Sequence, residues 1–126
     1  MATKLFTVEE ANALLPFLSR AFEEIFALRQ QVIALRPEED WPALEKAAYN
    51  GGGRQAGELF QLLNTFEALM RKIEATGCVV KDVEIGLVDF PSLRQGQVVY
   101  LCWKYKEPTI AYWHTIDGGF AGRQPL

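Results

Sequence analysis

The stretch Ile73-Glu74-Ala75-Thr76-Gly77-Cys78-Val79-Val80 contains the point at which the residue pattern of the chain changes. Before Gly77, apolar residues recur at every third or fourth position, which is typical of an amphipathic helix. Residues 78–85 are rich in valine and alternate, which predicts a β-strand. A glycine at position 77 also favours the left-handed end of a helix. The sequence therefore predicts an α+β protein, with helices before Gly77 and a sheet after it.

The first helix is predicted from its start and stop signals. Thr7 and Glu10 form a capping box that begins it. Pro37 disfavours helical geometry in the preceding residue, so the helix should end near Arg36. Pro16 lies inside the apolar pattern and predicts a kink or a restart there, because it removes a backbone donor.

Two more helices are predicted before the sheet. Asp40 is the N-cap of a short helix over residues 40–49, and Pro42 lies in its first turn. Asn50-Gly51-Gly52-Gly53 is then a connector, since the lysine and hydroxyl residue of a phosphate-binding loop do not follow it. The third helix spans residues 54–76. The prediction is a long antiparallel helical hairpin with a short intervening helix.

The second half of the chain predicts a small antiparallel sheet. Strands are expected over residues 78–85, 98–105 and 109–116, with Asp89-Phe90-Pro91 as a turn and Lys106-Glu107-Pro108 as a tight hairpin. Residues 117–126 form an irregular strap anchored by Phe120 and Leu126. The helical hairpin (1–76) packs on the sheet and strap (77–126), and residues 1–126 form a single domain.

The register of the last two strands stays open. A three-residue loop places Tyr100 opposite His114 and Cys102 opposite Tyr112, whereas a two-residue loop places Val99 opposite His114. A slip of one residue moves every side chain to the other face of the sheet. Only the first register brings Cys102 diagonally near His114, as a thiolate nucleophile would require.

Composition excludes several classes of protein. The chain has 126 residues, 49% of them hydrophobic, and a formal net charge of −3, which indicates an ordinary globular domain. There is no basic run, and the acidic excess lies in residues 1–76, so no nucleic-acid partner is expected. The sequence has neither a membrane-length apolar run nor a leader, so we expect a cytoplasmic protein without a membrane partner. Cys78 and Cys102 lack the spacing of a zinc motif and are expected to be buried thiols.

Longer motifs add a family resemblance. They are Phe6-Thr7-Val8-Glu9-Glu10-Ala11-Asn12-Ala13-Leu14-Leu15-Pro16, Ile85-Gly86-Leu87-Val88-Asp89-Phe90-Pro91, Val99-Tyr100-Leu101-Cys102-Trp103, Trp113-His114 and Gly119-Phe120-Ala121-Gly122-Arg123-Gln124-Pro125-Leu126. Over essentially the whole chain they resemble the bacterial family catalogued as domain of unknown function 2203. Lys106 stands where that pattern has glycine, which predicts a looser turn within the same fold. The resemblance implies a small cytoplasmic bacterial protein, and it implies no activity and no catalytic residue.

Polar residues set among aromatic ones in the second half point to a candidate metal site. His114 and Asp117 have H-x-x-D spacing at a strand end, and Asp89 and Glu107 are expected in adjacent loops. One nitrogen and several oxygen ligands suit a divalent metal such as manganese, iron(II), zinc or magnesium. Water bound to that metal would attack an ester or a phosphate. The alternative is that His114 is a hydrogen-bonded packing residue.

A candidate ligand pocket uses the same region. The strap would close over the aromatic face of the sheet, where Arg123 would bind a carboxylate or phosphate and the two tryptophans would pack against the ligand body. The alternative is that Arg123 pairs with Asp89 or Asp117 and holds the tail in place. The candidate ligand-binding residues are Asp89, Trp103, Glu107, Trp113 and Arg123.

The helices carry more apolar residues than one hairpin can hide against one sheet. The surplus consists of Leu14, Phe26, Leu28, Leu35, Leu62 and Leu69. A broad apolar face on a small soluble protein often marks an interface, although the sheet and tail offer an alternative cover. The favoured hypothesis is a binding or assembly module that forms a homodimer through its helices. The alternative is a divalent-metal-dependent hydrolase or a small-anion-binding protein.

Overall fold

The computed structural model describes residues 4–35 and 53–126. Their helices and strands, in chain order, are α1 (Val8–Leu35), α2 (Gly53–Ala75), β1 (Val79–Asp82), β2 (Leu87–Arg94), β3 (Gln97–Lys104), β4 (Tyr112–His114), a 3₁₀ helix (Phe120–Gly122) and β5 (Gln124–Pro125). The strands form one antiparallel sheet in the order β1-β2-β3-β4-β5. The predicted α+β class is confirmed. The predicted short helix (40–49) and residues 50–52 of the predicted glycine connector lie outside the described residues, and Gly53, the last residue of that connector, is the first residue of α2.

The chain divides into two compact units. One unit consists of Met1–Phe22 and Ile73–Leu126, and it contains the whole sheet together with the start of α1 and the end of α2. The other unit is Glu23–Lys72, in which Leu59 of α2 is fully buried against Val32 and Leu35 of α1. The prediction that residues 1–126 form a single domain stays a prediction.

Both ends of the helical part follow the predicted signals. The Glu10 amide donates to Thr7 Oγ1 at 3.1 Å, and the Thr7 amide donates to Glu10 Oε1 at 2.9 Å, which completes the capping box. Gly77 has φ of 97°, and its amide donates to the Glu74 carbonyl at 3.0 Å, as expected of a left-handed helix cap. Between these ends α1 continues through Pro16 without the restart considered above. Leu15 and Leu18, on either side of Pro16, are buried. The free energy of this packing offsets the loss of the backbone hydrogen bond that proline cannot make.

Strand β2 differs most from the sequence prediction. The predicted turn at Asp89-Phe90-Pro91 is wrong, because these residues lie inside an eight-residue strand that pairs with β3 along its length. Pro91 is tolerated there because β1 pairs with β2 only as far as Asp89, so no strand on that side requires a donor from Pro91. The Pro91 carbonyl instead accepts from the Phe6 amide at 2.7 Å.

The turn between β2 and β3 was not predicted at all. Gln95 and Gly96 connect the paired residues Arg94 and Gln97, and both connecting residues have positive φ, 52° and 79°. This is the backbone of a type I′ turn, whose twist matches that of two antiparallel strands. The usual Asn-Gly signature is replaced here by Gln-Gly, which weakens the sequence signal.

The register between β3 and β4 is the first of the two alternatives. Tyr100 lies opposite His114 and Cys102 lies opposite Tyr112. The predicted tight hairpin at Lys106-Glu107-Pro108 is wrong and β4 is shorter than predicted, because residues 105–111 all lie between β3 and β4. Within this longer loop the Ile110 amide donates to Asn12 Oδ1 of α1 at 2.8 Å. The strap is more regular than predicted, because residues 124–125 form the edge strand β5 against β4. Its expected anchors are poorly buried, with Phe120 43% exposed and Leu126 45% exposed.

The two faces of the sheet differ in chemistry. Directly paired residues share a face and successive residues alternate, so Val88, Phe90 and Trp103 lie on one face. That face packs on the helical side, where the Phe22 and Trp103 ring centroids are 6.2 Å apart. The opposite face carries Asp89 and other polar residues. The site described next lies on this second face.

The positive backbone angles give a reciprocal test. Gly96 (φ 79°) has open space around it. Lys106, the residue predicted to loosen its turn because it replaces a glycine, also has a positive φ, of 84°. Gly96→Ala should reduce the free energy of unfolding by about 1 kcal/mol, and Lys106→Gly should increase it by up to about 1 kcal/mol. Urea unfolding with unchanged slope measures both. A loss of stability in Lys106→Gly would contradict this account of the turn.

Candidate functional site

Three polar side chains converge on the second face of the sheet. Asp89 of β2 and Cys102 of β3 are direct cross-strand partners, and His114 of β4 lies opposite Tyr100, two residues before Cys102. Asp89 and His114 are each 2% exposed and Cys102 is fully buried. One potential ligand atom from each residue, a carboxylate oxygen, the sulfur and a ring nitrogen, lies within 4.8 Å of the other two. We call these three residues the buried triad.

The hydrogen bonds of His114 define its tautomer. Its Nδ1 lies 2.6 Å from the Thr115 carbonyl oxygen, and because a carbonyl can only accept, Nδ1 carries a hydrogen. Its Nε2 lies 3.0 Å from Asp89 Oδ1, within hydrogen-bond distance. The Tyr100 ring covers the imidazole with 5.5 Å between centroids. The ring of His114 is therefore held with Nε2 toward the carboxylate.

The Cys102 thiol is protonated. Burial, and after it the neighbouring Asp89 carboxylate, raise the pKa of this thiol to about 12. The structure has the register that a Cys102–His114 nucleophile requires, but nucleophilic cysteines have a lowered pKa. Burial also raises the pKa of the second cysteine, Cys78. Both cysteines are free and buried, as the sequence analysis predicted.

The predicted metal ligands separate into two groups. Asp89 and His114 are together, as expected. Asp117 is exposed in the turn after β4, outside the triad, and Glu107 is bound to Arg123. Cys102 takes the place that these two carboxylates were expected to fill. Sequence reasoning missed it as a ligand because its partners lie 13 and 12 positions away, on neighbouring strands that no short motif describes.

Arg123 forms the most extensive polar contact of the strap. Its Nη2 donates to both carboxylate oxygens of Glu107, at 2.8 and 2.7 Å. The guanidinium also lies 4.0 Å from the Tyr112 ring centroid and 4.8 Å from that of Phe120, which are cation–π distances. The alternative partners Asp89 and Asp117 were wrong, since Glu107 lies beside β3 and its Oε1 also accepts from the Lys104 amide. An incoming anion would have to compete with the Glu107 carboxylate.

Of the five candidate ligand-binding residues, Asp89 and the two tryptophans lie on opposite faces of the sheet. Trp113 pairs with Leu101, so both tryptophans lie on the helix-packed face, opposite Asp89. Trp103 is fully buried and its indole donates to the Glu107 carbonyl at 2.9 Å. Trp113 is half-buried, with the Arg94 guanidinium 4.6 Å from its ring centroid. The two tryptophan rings thus lie on one face of the sheet and the triad on the other.

Comparison with known proteins gives a family and no activity. A family model described as "Uncharacterized conserved protein (DUF2203)" matches residues 4–126. The chain belongs to this family. Searches of curated proteins and of solved structures found no match. In the part of the chain that the structure describes, no helix is long and apolar enough to cross a membrane. Membership in the family confirms the resemblance seen in the sequence.

The Arg123–Glu107 pair should contribute measurably to stability. Nη2 contacts both oxygens of the carboxylate, and the two side chains are 12% and 25% exposed, so a double-mutant cycle of Arg123→Met and Glu107→Gln should give a coupling energy of about 1–3 kcal/mol. The exposed Lys4–Glu10 pair, at 3.3 Å, is the matched control, and Lys4→Met with Glu10→Gln should give less than about 1 kcal/mol. Equal coupling in the two cycles would show that the strap is not held by Arg123.

The cysteines should resist modification in the folded protein. At pH 8 a colorimetric disulfide reagent should find neither Cys78 nor Cys102 reactive, because both thiols are buried and protonated. After unfolding in guanidinium both should react, and Cys102→Ala should then show one thiol. A fast-reacting thiol in the folded wild type that Cys102→Ala removes would restore the nucleophile hypothesis.

Proposed function

We propose that the protein is a cytoplasmic bacterial binding and assembly module that self-associates as a homodimer through its helices. The observation that supports this is the incomplete burial of the unit Glu23–Lys72. Among the described side chains of that unit, only Ile25, Leu59 and Leu69 are at most 9% exposed. The remaining surplus apolar residues of the unit are half-buried. They are Phe26, Leu28, Leu35 and Leu62.

A helix pair has one seam in which to bury its apolar side chains. In this unit Leu59 is at the centre of the seam, with Val32 and Leu35 on α1 and Phe60 and Leu63 on α2 around it. A helix with a broader apolar stripe needs a further neighbour to cover the rest. Ile33, 45% exposed, shows that the apolar surface of α1 continues outside this seam.

A second copy of the chain would supply that neighbour. Residues 31–35 and 58–62 line an open groove between α1 and α2, formed by Gln31, Ala34, Leu35, Glu58, Gln61 and Leu62. Two such antiparallel hairpins would pack as a four-helix bundle around a two-fold axis, so that each groove covers the other. The two free, buried cysteines are consistent with work in a reducing cytoplasm.

The enzymatic alternative has less support. A hydrolase needs its reacting groups in contact with substrate, whereas Asp89 and His114 are each 2% exposed. A small-anion receptor needs a free Arg123, whereas its Nη2 hydrogen bonds go to Glu107. The accessible apolar surface therefore favours assembly over catalysis.

Sedimentation equilibrium and light scattering test the proposal. At high micromolar concentration the wild type should have twice the mass of the 14.2 kDa chain. Leu62→Gln should weaken the dimer about tenfold or more, because it places an amide in a desolvated contact. Glu67→Gln, an exposed change on the same helix, should leave the mass unchanged.

Two results would overturn the proposal. One is a monomeric wild type at high micromolar concentration. The other is a dimer whose dissociation constant is the same in wild type, Leu62→Gln and Ile33→Gln, since this would place the interface away from the helices. Far-ultraviolet circular dichroism checks that each variant retains its helical content.

A further inference from the structure

We propose that Asp89, Cys102 and His114 form a zinc site, in which Oδ1, Sγ and Nε2 bind one Zn²⁺ ion. This inference is independent of self-association, because it uses the sheet and not the helices. The three residues come from three neighbouring strands, and they are the nitrogen, sulfur and oxygen donors that zinc accepts. Magnesium and calcium prefer oxygen ligands alone, so the cysteine selects against them.

The positions of the ligands are determined by backbone pairing. Asp89 and Cys102 are direct cross-strand partners, and His114 is fixed by the pairing of β4 with β3. Their ligand atoms lie within 4.8 Å of one another. Tetrahedral zinc, with bonds of about 2.0–2.3 Å, holds its ligand atoms about 3.5 Å apart. Closing the triad onto an ion therefore requires side-chain movements of about 1 Å.

His114 is oriented as a zinc ligand should be. Its Nδ1–H donates to the Thr115 carbonyl at 2.6 Å, which leaves Nε2 as the atom that faces the other two ligands. A ligating histidine almost always donates its other ring hydrogen to a carbonyl or carboxylate in this way, and the bond fixes both tautomer and ring orientation.

The charges of the zinc-bound triad would balance, as burial requires. The Cys102 thiol would bind as the thiolate and release its proton to solvent, and His114 would bind through an Nε2 that carries no hydrogen. The thiolate and the carboxylate then offset the two positive charges of the ion. A neutral complex can be buried at much lower cost than an isolated charge.

The degree of burial indicates the kind of site. Three protein ligands leave one tetrahedral position, which a single water can occupy. All three ligands are at most 2% exposed, so the ion would exchange slowly and act by joining β2, β3 and β4.

Cobalt(II) spectroscopy on the untagged full chain tests the proposal. Stoichiometric Co²⁺ should give a thiolate-to-cobalt charge-transfer band in the near ultraviolet and the strong visible bands of a tetrahedral ion, and one equivalent of Zn²⁺ should abolish them. Cys78→Ser, which changes the other buried cysteine, is the matched control and should retain the spectrum. Cys102→Ser and His114→Gln should lose the charge-transfer and tetrahedral bands respectively, and the rise in Tm that Zn²⁺ gives the wild type should vanish in both.

X-ray absorption of the zinc-loaded wild type keeps the test independent of variant folding. The expected first shell has one sulfur at about 2.3 Å and nitrogen or oxygen ligands at about 2.0–2.2 Å. The proposal is overturned if the wild type shows neither the cobalt bands nor a zinc-dependent change in Tm. It is also overturned if the zinc shell lacks sulfur, or if Cys102→Ser retains the charge-transfer band.

Discussion

The pairing of β3 with both of its neighbours is the constraint on which the rest of the sheet depends. Strand β3 matches β2 residue by residue over eight positions and pairs with β4 over three. Side chains alternate between faces, so a slip of one residue would exchange the two sets completely. Trp103 would leave the face that packs on Phe22, and Cys102 would leave Asp89. One register therefore determines both the apolar packing and the polar triad.

The two faces solve different problems of burial. On the helix-packed face, large aromatic rings exclude water, and the burial of their apolar surface stabilises the fold. The opposite face buries Asp89, Cys102 and His114, a set whose every charge needs a partner. The protein meets that requirement with hydrogen bonds that run from Asp89 through His114 to the Thr115 backbone. Because each member depends on the next, loss of one partner leaves an uncompensated group in the interior.

The helices were predicted well because their signals lie within a few residues, whereas the strands of the sheet depend on pairing between distant residues. The Thr7–Glu10 capping box and the Gly77 cap act within a few residues, so the sequence shows them directly. Strand β2 was missed because Pro91 reads as a turn residue, and its tolerance depends on where β1 stops pairing. The candidate site was predicted in part for the same reason. His114 and Asp89 could be selected from the sequence because they are polar residues among aromatic ones. The role of Cys102 depends on a strand register that the sequence left open. The Glu107–Arg123 pair was missed because it joins residues 16 positions apart.

The outer strands have a consequence for how copies of this protein can meet. Strand β5 has two residues and one of them is Pro125, which has no amide hydrogen to offer. At the other border β1 has four residues, with Lys81 and Asp82 exposed. Short, charged or proline-bearing borders resist the addition of a further strand from a neighbouring molecule. The two border strands β1 and β5 therefore disfavour pairing with a strand of a neighbouring molecule.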